Sequence, residues 1–182
     1  IQKYTSTNLV ANVNDLPTGS TTITGTATQG QVLTASNTIA DIDGLGTISY
    51  QWKADGTNIS GATSSTLTLG QAQVGKAISV VASYTDLLGT AEAIASNATT
   101  AVANVNDSPT GSITITGTAT QGQTLTAGNT LADLDGLGAI SYQWKTDGAN
   151  ISGATSSTLT LGQGQVGKAI TVVASYTDLL GT

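Results

Sequence analysis

The sequence predicts an all-β protein built from two tandem β-sandwiches of about seven strands each. The motif VANVND begins at Val10 and again at Val102, and the chain matches itself at this spacing of 92 residues. Residues 10–90 and 102–182 differ at only 11 of 81 positions. Short runs of Thr, Val and Ile alternate with Gly, Asn and Asp turns, and no stretch keeps a helical period. The chain is therefore two copies of one β-rich unit.

The strands of the first copy follow from these runs and turns. They are predicted near residues 18–25, 31–36, 47–54, 57–60, 65–69, 76–84 and 91–102. Shifted by one period, the first six recur in the second copy, whereas the seventh would fall beyond Thr182. We therefore expect an N-terminal strand at 1–11, a first repeat at 12–103 and a second repeat at 104–182 that lacks its own last strand.

The segment 1–11, IQKYTSTNLVA, stands where the last strand of a preceding repeat would be. It shares Thr7, Val10 and Ala11 with the matching residues 93–103 of the first copy. One interpretation is that the chain is a window of a longer array. The other is that this segment completes the open second repeat of another copy, which would build a head-to-tail filament by donor-strand complementation.

One tryptophan per copy predicts the type of sandwich. In TISYQWKADG, the side chains of Ile48, Tyr50 and Trp52 share one face of a strand because strand side chains alternate. A Trp on the third strand is typical of the core of an immunoglobulin-like Greek-key β-sandwich. The alternative is that these aromatic residues form an exposed sugar-binding platform. Packing is the simpler explanation for Trp52 and for Trp144.

The composition excludes several functions. The chain has no His, Cys or Arg, and its net charge is −6. Nucleic-acid binding requires a basic surface that this charge does not provide. No ordinary pair of nucleophile and base can be assembled, so we expect no enzymatic activity and no catalytic residues.

The acidic residues are grouped in equivalent loops. If successive strands reverse direction, three acidic segments lie at one end of the unit. They are NVND before the first strand, DIDG after the second and TDLLG after the sixth. The predicted oxygen donors of the first copy are Asp15, Asp41, Asp43 and Asp86, with Asn12 and Asn14 in support. Those of the second copy are Asp107, Asp133, Asp135 and Asp178, with Asn104 and Asn106 in support.

Such a group of carboxylates predicts a Ca²⁺ site. Like charges repel unless a cation neutralises them, and none of these three loops contains a Lys. Ca²⁺ accepts six to eight oxygen ligands, whereas zinc would favour the missing His and Cys. The alternative is that each Asp is only a turn residue, as Asp43 before Gly44 would be.

Four stretches of the sequence carry a resemblance: the linker NVNDLPTG, the loop DIDG, the stretch YQWKADGTNISGATSSTLTL and the later stretch VGKAISVVASYTD. They resemble the tandem immunoglobulin-like or cadherin-like repeats of large bacterial surface adhesins. These include the biofilm-associated and RTX-type adhesins. The resemblance implies an extracellular string of β-sandwiches, stiffened by Ca²⁺ at the linkers, that projects a binding tip from the cell. Cadherin linkers carry more acidic residues than this chain, whose only Glu is Glu92.

Two classes of function remain open at this stage. The first is a structural module of an extracellular stalk or self-assembling surface fibre, whose partners are copies of itself or neighbouring repeats. The second is a binding module for a glycan or another surface. Buried aromatic side chains would favour the first class, and an exposed flat row of them would favour the second.

Overall fold

The computed structural model describes residues 8–181, which form two compact all-β units. The boundary between the units lies between Val105 and Asn106, two residues beyond the division expected from the repeat. Among residues 8–181 the only helical elements are two single turns, at Gln71–Gln73 and Gln163–Gln165. No helix within the described part of the chain is long and apolar enough to cross a membrane. The prediction of an all-β chain with antiparallel sheets is therefore confirmed.

The described part of the first unit, residues 8–105, places seven strands in two antiparallel sheets. They are β1 (Thr21–Thr24), β2 (Val32–Asn37), β3 (Ser49–Ala54), β4 (Thr57–Asn58), β5 (Thr66–Thr68), β6 (Ile78–Thr85) and β7 (Ala91–Ala95). One sheet has the order β1-β2-β5 and the other the order β4-β3-β6-β7. The chain thus crosses repeatedly from one sheet to the other, as expected for a sandwich.

The second unit repeats this pattern with six strands. They are β8 (Ile113–Thr116), β9 (Thr124–Asn129), β10 (Ser141–Thr146), β11 (Ala149–Asn150), β12 (Thr158–Thr160) and β13 (Ile170–Ser175). The sheets have the orders β12-β9-β8 and β11-β10-β13. Within residues 106–181 no strand takes the place of β7, so β13 is an edge strand where β6 is a central one.

A single tryptophan lies at the centre of each core. The side chains of Trp52 and Trp144 are fully buried, each among aliphatic residues from both sheets. The Nε1–H group of Trp52 donates to the carbonyl oxygen of Ser64 at 2.9 Å, and that of Trp144 donates to Ser156 at 2.9 Å. The indole is therefore buried without an unpaired donor. The packing interpretation of these residues is confirmed.

The seventh strand differs from its predicted extent of 91–102. It pairs with β6 only as far as Ala95, after which the hydroxyl groups of Ser96 and Thr99 accept hydrogen bonds from the β6 backbone N–H groups of Val80 and Ile78, both at 3.0 Å. Asn97 and Ala98 of this segment therefore oppose the single residue Ser79 of β6, which is a β-bulge. Beyond the bulge, residues 101–103 form isolated bridges to other parts of the unit.

Replacing either tryptophan by alanine should destabilise its own unit by about 3–5 kcal/mol, because a large buried side chain is lost and a cavity remains. Chemical denaturation of Trp52→Ala, followed by circular dichroism, measures this change. Ile42→Ala is the control, since the Ile42 side chain is largely exposed. A comparable loss of stability in both variants would contradict the assignment of Trp52 to the core.

Candidate functional site

The predicted convergence of three loops is present in the first unit. The loop between β2 and β3 packs against the residues that follow β6. A Cβ atom built on Gly44, whose φ is +93°, would lie 2.5 Å from the Cδ1 atom of Leu87, and one built on Gly46 would lie 2.0 Å from the carbonyl oxygen of Thr85. Only glycine at these positions lets the two loops approach so closely.

Asp43 joins the segment before β1 to this loop. Its Oδ1 atom accepts a hydrogen bond from the Asn12 side-chain amide at 2.5 Å, and its Oδ2 atom accepts one from the Asp15 backbone N–H at 2.6 Å. The Asp43 backbone N–H in turn donates to the Oδ1 atom of Asp41 at 2.9 Å. Asp15 contributes its backbone here, while the residue itself is exposed. The predicted residues of the first two loops are therefore neighbours.

Two residues absent from the predicted ligand set also belong to this cluster. The hydroxyl group of Tyr84 donates to the Oδ2 atom of Asp41 at 2.5 Å, and the Asn14 side-chain amide donates to the Oε1 atom of Glu92 at 2.9 Å. Burial, reinforced by the hydrogen bond to Asp41, raises the pKa of Tyr84 above its usual range. The sequence carries a signal for Tyr84, because it precedes Asp86 by two positions and strand side chains two apart share a face.

Asp86 is a buried carboxylate at the end of β6. Its Oδ1 atom accepts hydrogen bonds from the backbone N–H groups of Thr90 at 2.7 Å and of Leu88 at 2.9 Å. Burial alone would raise the pKa of Asp86, but these N–H groups outweigh it and the pKa is lowered. The Oδ2 atom is buried and has no hydrogen-bond partner. Asp86 is therefore held ionised with one buried oxygen unused.

The second unit repeats the arrangement along an open groove. The backbone N–H of Asp107 donates to the Oδ2 atom of Asp135 at 2.8 Å, and that of Asp135 donates to the Oδ1 atom of Asp133 at 2.9 Å. The hydroxyl group of Tyr176 donates to the Oδ2 atom of Asp133 at 2.5 Å. Asp135 and Asp178 are buried. Asn106, Asp107, Asp133 and Asp178 are among the residues that line the groove.

Asn104 belongs to the first unit. Its side-chain oxygen is buried and has no hydrogen-bond partner. Two oxygens of the predicted donor set, one on Asp86 and one on Asn104, are therefore buried without a hydrogen-bond partner. Buried oxygens without partners are uncommon in folded proteins, and an ion or a water molecule is a usual reason for them.

The donor set meets part of what Ca²⁺ requires. Every candidate is an oxygen donor, and Asp86 offers a buried, ionised carboxylate with an unpaired oxygen, which fits a hard cation. Among residues 8–181, however, no three acidic side chains are grouped closely enough to hold a metal ion. Backbone carbonyl groups, Asn side chains or water molecules would have to complete the coordination of any ion, and Ca²⁺ accepts all of these.

The hydrogen bond between Tyr176 and Asp133 can be tested by titration in metal-free protein. That bond, with burial second, raises the pKa of Tyr176 to about 12. A pKa raised on folding contributes stability that is present below the unfolded value, about 10, and is lost as the pH rises through the folded value. In the unmodified chain the phenolate absorbance of Tyr176 should therefore appear near pH 12. The variant Tyr176→Phe lacks this absorbance, which identifies it.

Asp133→Asn should move this ionisation toward the usual tyrosine range, because the charged acceptor is lost. Asp147→Asn makes the same chemical change in the turn between β10 and β11 and should leave the ionisation in place. Ionisation of Tyr176 at the same pH with and without the Asp133 carboxylate would show that the hydrogen bond does not form.

Comparison of the chain with protein-family models and with curated protein sequences finds no match.

Proposed function

We propose that the chain is a structural repeat module of an extracellular stalk or self-assembling surface fibre, stiffened by Ca²⁺ and without chemistry of its own. The observation that carries this proposal is the repetition itself. Two units that differ at 11 of 81 positions share six strands in the same order. A spacer needs only copies of one stable unit, whereas a binding site would be free to differ between copies.

The placement of the aromatic side chains supports the structural role over the alternative of a glycan-binding or surface-binding module. Trp52, Trp144 and Tyr84 are buried. Tyr50 and Tyr142 are partly buried, and their hydroxyl groups accept hydrogen bonds from Asn37 at 2.7 Å and Asn129 at 2.8 Å. None of the described aromatic residues is exposed, so residues 8–181 offer no flat aromatic row on which a sugar could stack.

Calcium would act at the acidic end of each unit. There the loops around Asp41, Asp43 and Asp86 approach the segment before β1, and the equivalent residues of the second unit approach Asp107. Bound Ca²⁺ would neutralise the carboxylates and join that segment to the loops. A joined segment bends less, which is the property that a stalk requires. The extracellular location and the adhesin-like context belong to this proposal and rest on the sequence resemblance.

The calcium hypothesis predicts that millimolar Ca²⁺ raises the melting temperature relative to excess chelator. Binding to the folded state alone stabilises by mass action, by about 2.7 kcal/mol when the ion exceeds its dissociation constant 100-fold. A single unit should then melt several degrees higher. Differential scanning calorimetry with Ca²⁺ and with Mg²⁺ measures the shift and its selectivity.

The double variant Asp133→Asn with Asp135→Asn should lose the shift of the second unit and keep that of the first. Asp55→Asn with Asp147→Asn removes the same charge at two exposed turns and is the matched control. A melting temperature that does not respond to Ca²⁺ would reject the calcium part of the proposal.

A further inference from the structure

The second unit contains an open groove of ≈ 520 Å³ beside the N-terminal end of β13. Its lining includes Ala119, Gln121, Leu161, Val166, Gly167 and Ile170. These side chains are mostly apolar or small. Val166 is 53% exposed, although its side chain is suited to a core. The groove therefore exposes apolar surface that packing would otherwise cover.

The same place in the first unit is filled by residues 101–103. Val102 is 2% exposed there and belongs to the hydrophobic core. It forms a bridge with Val74, the counterpart of Val166, and Ala103 forms a bridge with Thr28. The residues around Val102 and the residues that line the groove are equivalent positions of the repeat, 92 residues apart. The first unit thus shows which segment the groove accepts.

Backbone hydrogen bonds hold this segment in the first unit. Ala103 donates to the carbonyl oxygen of Ala27 at 2.8 Å and accepts from the N–H of Gln29 at 2.9 Å. Val102 donates to Lys76 and accepts from Gly75, both at 2.9 Å. The equivalent groups of the second unit, on Ala119, Gln121, Gly167 and Lys168, have no such bonds within residues 106–181.

The effect of the missing segment is visible on β13. β6 and β13 differ only at one outward position, Ser79 against Thr171, over their common length. The inward side chains of β6, including Ile78 and Val80, are buried, whereas their counterparts Ile170 and Val172 are only half-buried. Nearly identical strands thus differ in burial because one is covered by β7 and residues 101–103 and the other has no such cover within its unit.

We propose that this groove binds the segment around Val10 of a second copy of the chain. Val10 and Ala11 are the counterparts of Val102 and Ala103, and both segments run on into the same NVND motif. Leu9 and Val10 are 97% exposed. Val10 of one copy occupies the place beside Val166 of the next, and the backbone of Ala11 takes the bonds that Ala103 makes. The matching positions extend to Thr7, which lies outside the described residues.

This interface is heterologous, since the donated segment and the groove belong to different surfaces of the chain. It leaves a free segment and a free groove at the two ends of every assembly, so the copies form open-ended chains. The inference rests on the proposed function and names the partner of the module as a second copy of itself. The donated backbone extends a sheet edge while its side chains fill a core, which is a known mode of segment recognition.

Analytical ultracentrifugation of the 182-residue chain over a range of concentrations tests the proposal. The weight-average mass should rise with concentration and pass beyond that of a dimer. Val10→Asp should weaken association at least tenfold, because the charge would be buried in an apolar groove. Because the Val10 side chain is exposed, this substitution leaves the fold of its own chain intact. Leu16→Asp adds the same charge at another exposed position and should associate as the unmodified chain does.

A self-complemented chain provides the second test. Thr182 corresponds to Thr90, so residues 91–103 can be appended after Thr182 in the order that follows Thr90. The appended segment should fill the groove within its own chain, abolish association and raise the melting temperature of the second unit. A concentration-independent monomer for the unmodified chain, or unchanged association in Val10→Asp or in the self-complemented chain, would overturn the proposal.

The two proposals fail separately in this design. A Ca²⁺-dependent melting shift in the self-complemented monomer would stand even if the unmodified chain never associated. Association through the groove with no response to Ca²⁺ would retain the partner and reject calcium stiffening.

Discussion

One buried indole per unit connects the two sheets of each sandwich. The backbone of Trp52 bonds to Ala62 at 3.0 Å and to Ile59 at 2.9 Å, while its Nε1–H group bonds to Ser64. This stretch leads directly into β5 of the opposite sheet. The side-chain amide of Gln51 adds a bond to Ile59 at 2.9 Å. Because the chain contains no Phe or Met, this side chain supplies the bulk that larger cores share among several residues.

A core of this kind is stable only when strands cover all of its apolar side chains. Its remaining members are mainly Leu, Val, Ile and Ala, whose individual contributions to burial are modest. When an edge has no further strand, as β13 has none within residues 106–181, there is little surplus apolar packing to compensate. The same composition explains the prevalence of hydroxyl pairs across neighbouring strands, such as Thr22 with Ser36 and Ser49 with Ser83. These pairs lie on outward faces, where polar groups remain in contact with water.

The sequence was sufficient to predict the strands and the meeting of the loops, because both follow from alternation and from strand reversal. Trp52 shows this: its face and its burial follow from its place in a period-two run. The break after Ala95 could not be predicted, since it depends on hydroxyl groups replacing backbone acceptors. The place of Tyr84 in the cluster could have been read from its alternation with Asp86, whereas the bond between Asn14 and Glu92 leaves no periodic pattern in the sequence. Whether the acidic loops bind calcium stays a prediction.

The bulge at residues 96–99 has a consequence for the alignment of any strand on this edge. A strand held only by its backbone can slide by two residues and recover the same hydrogen bonds. Here the hydroxyl groups of Ser96 and Thr99, three positions apart, meet the N–H groups of Val80 and Ile78. After a slide, at least one of these N–H groups would face a residue without a matching acceptor and would be left unpaired inside the protein. Two small polar side chains thus define a single alignment for the edge, independently of the apolar residues beyond them.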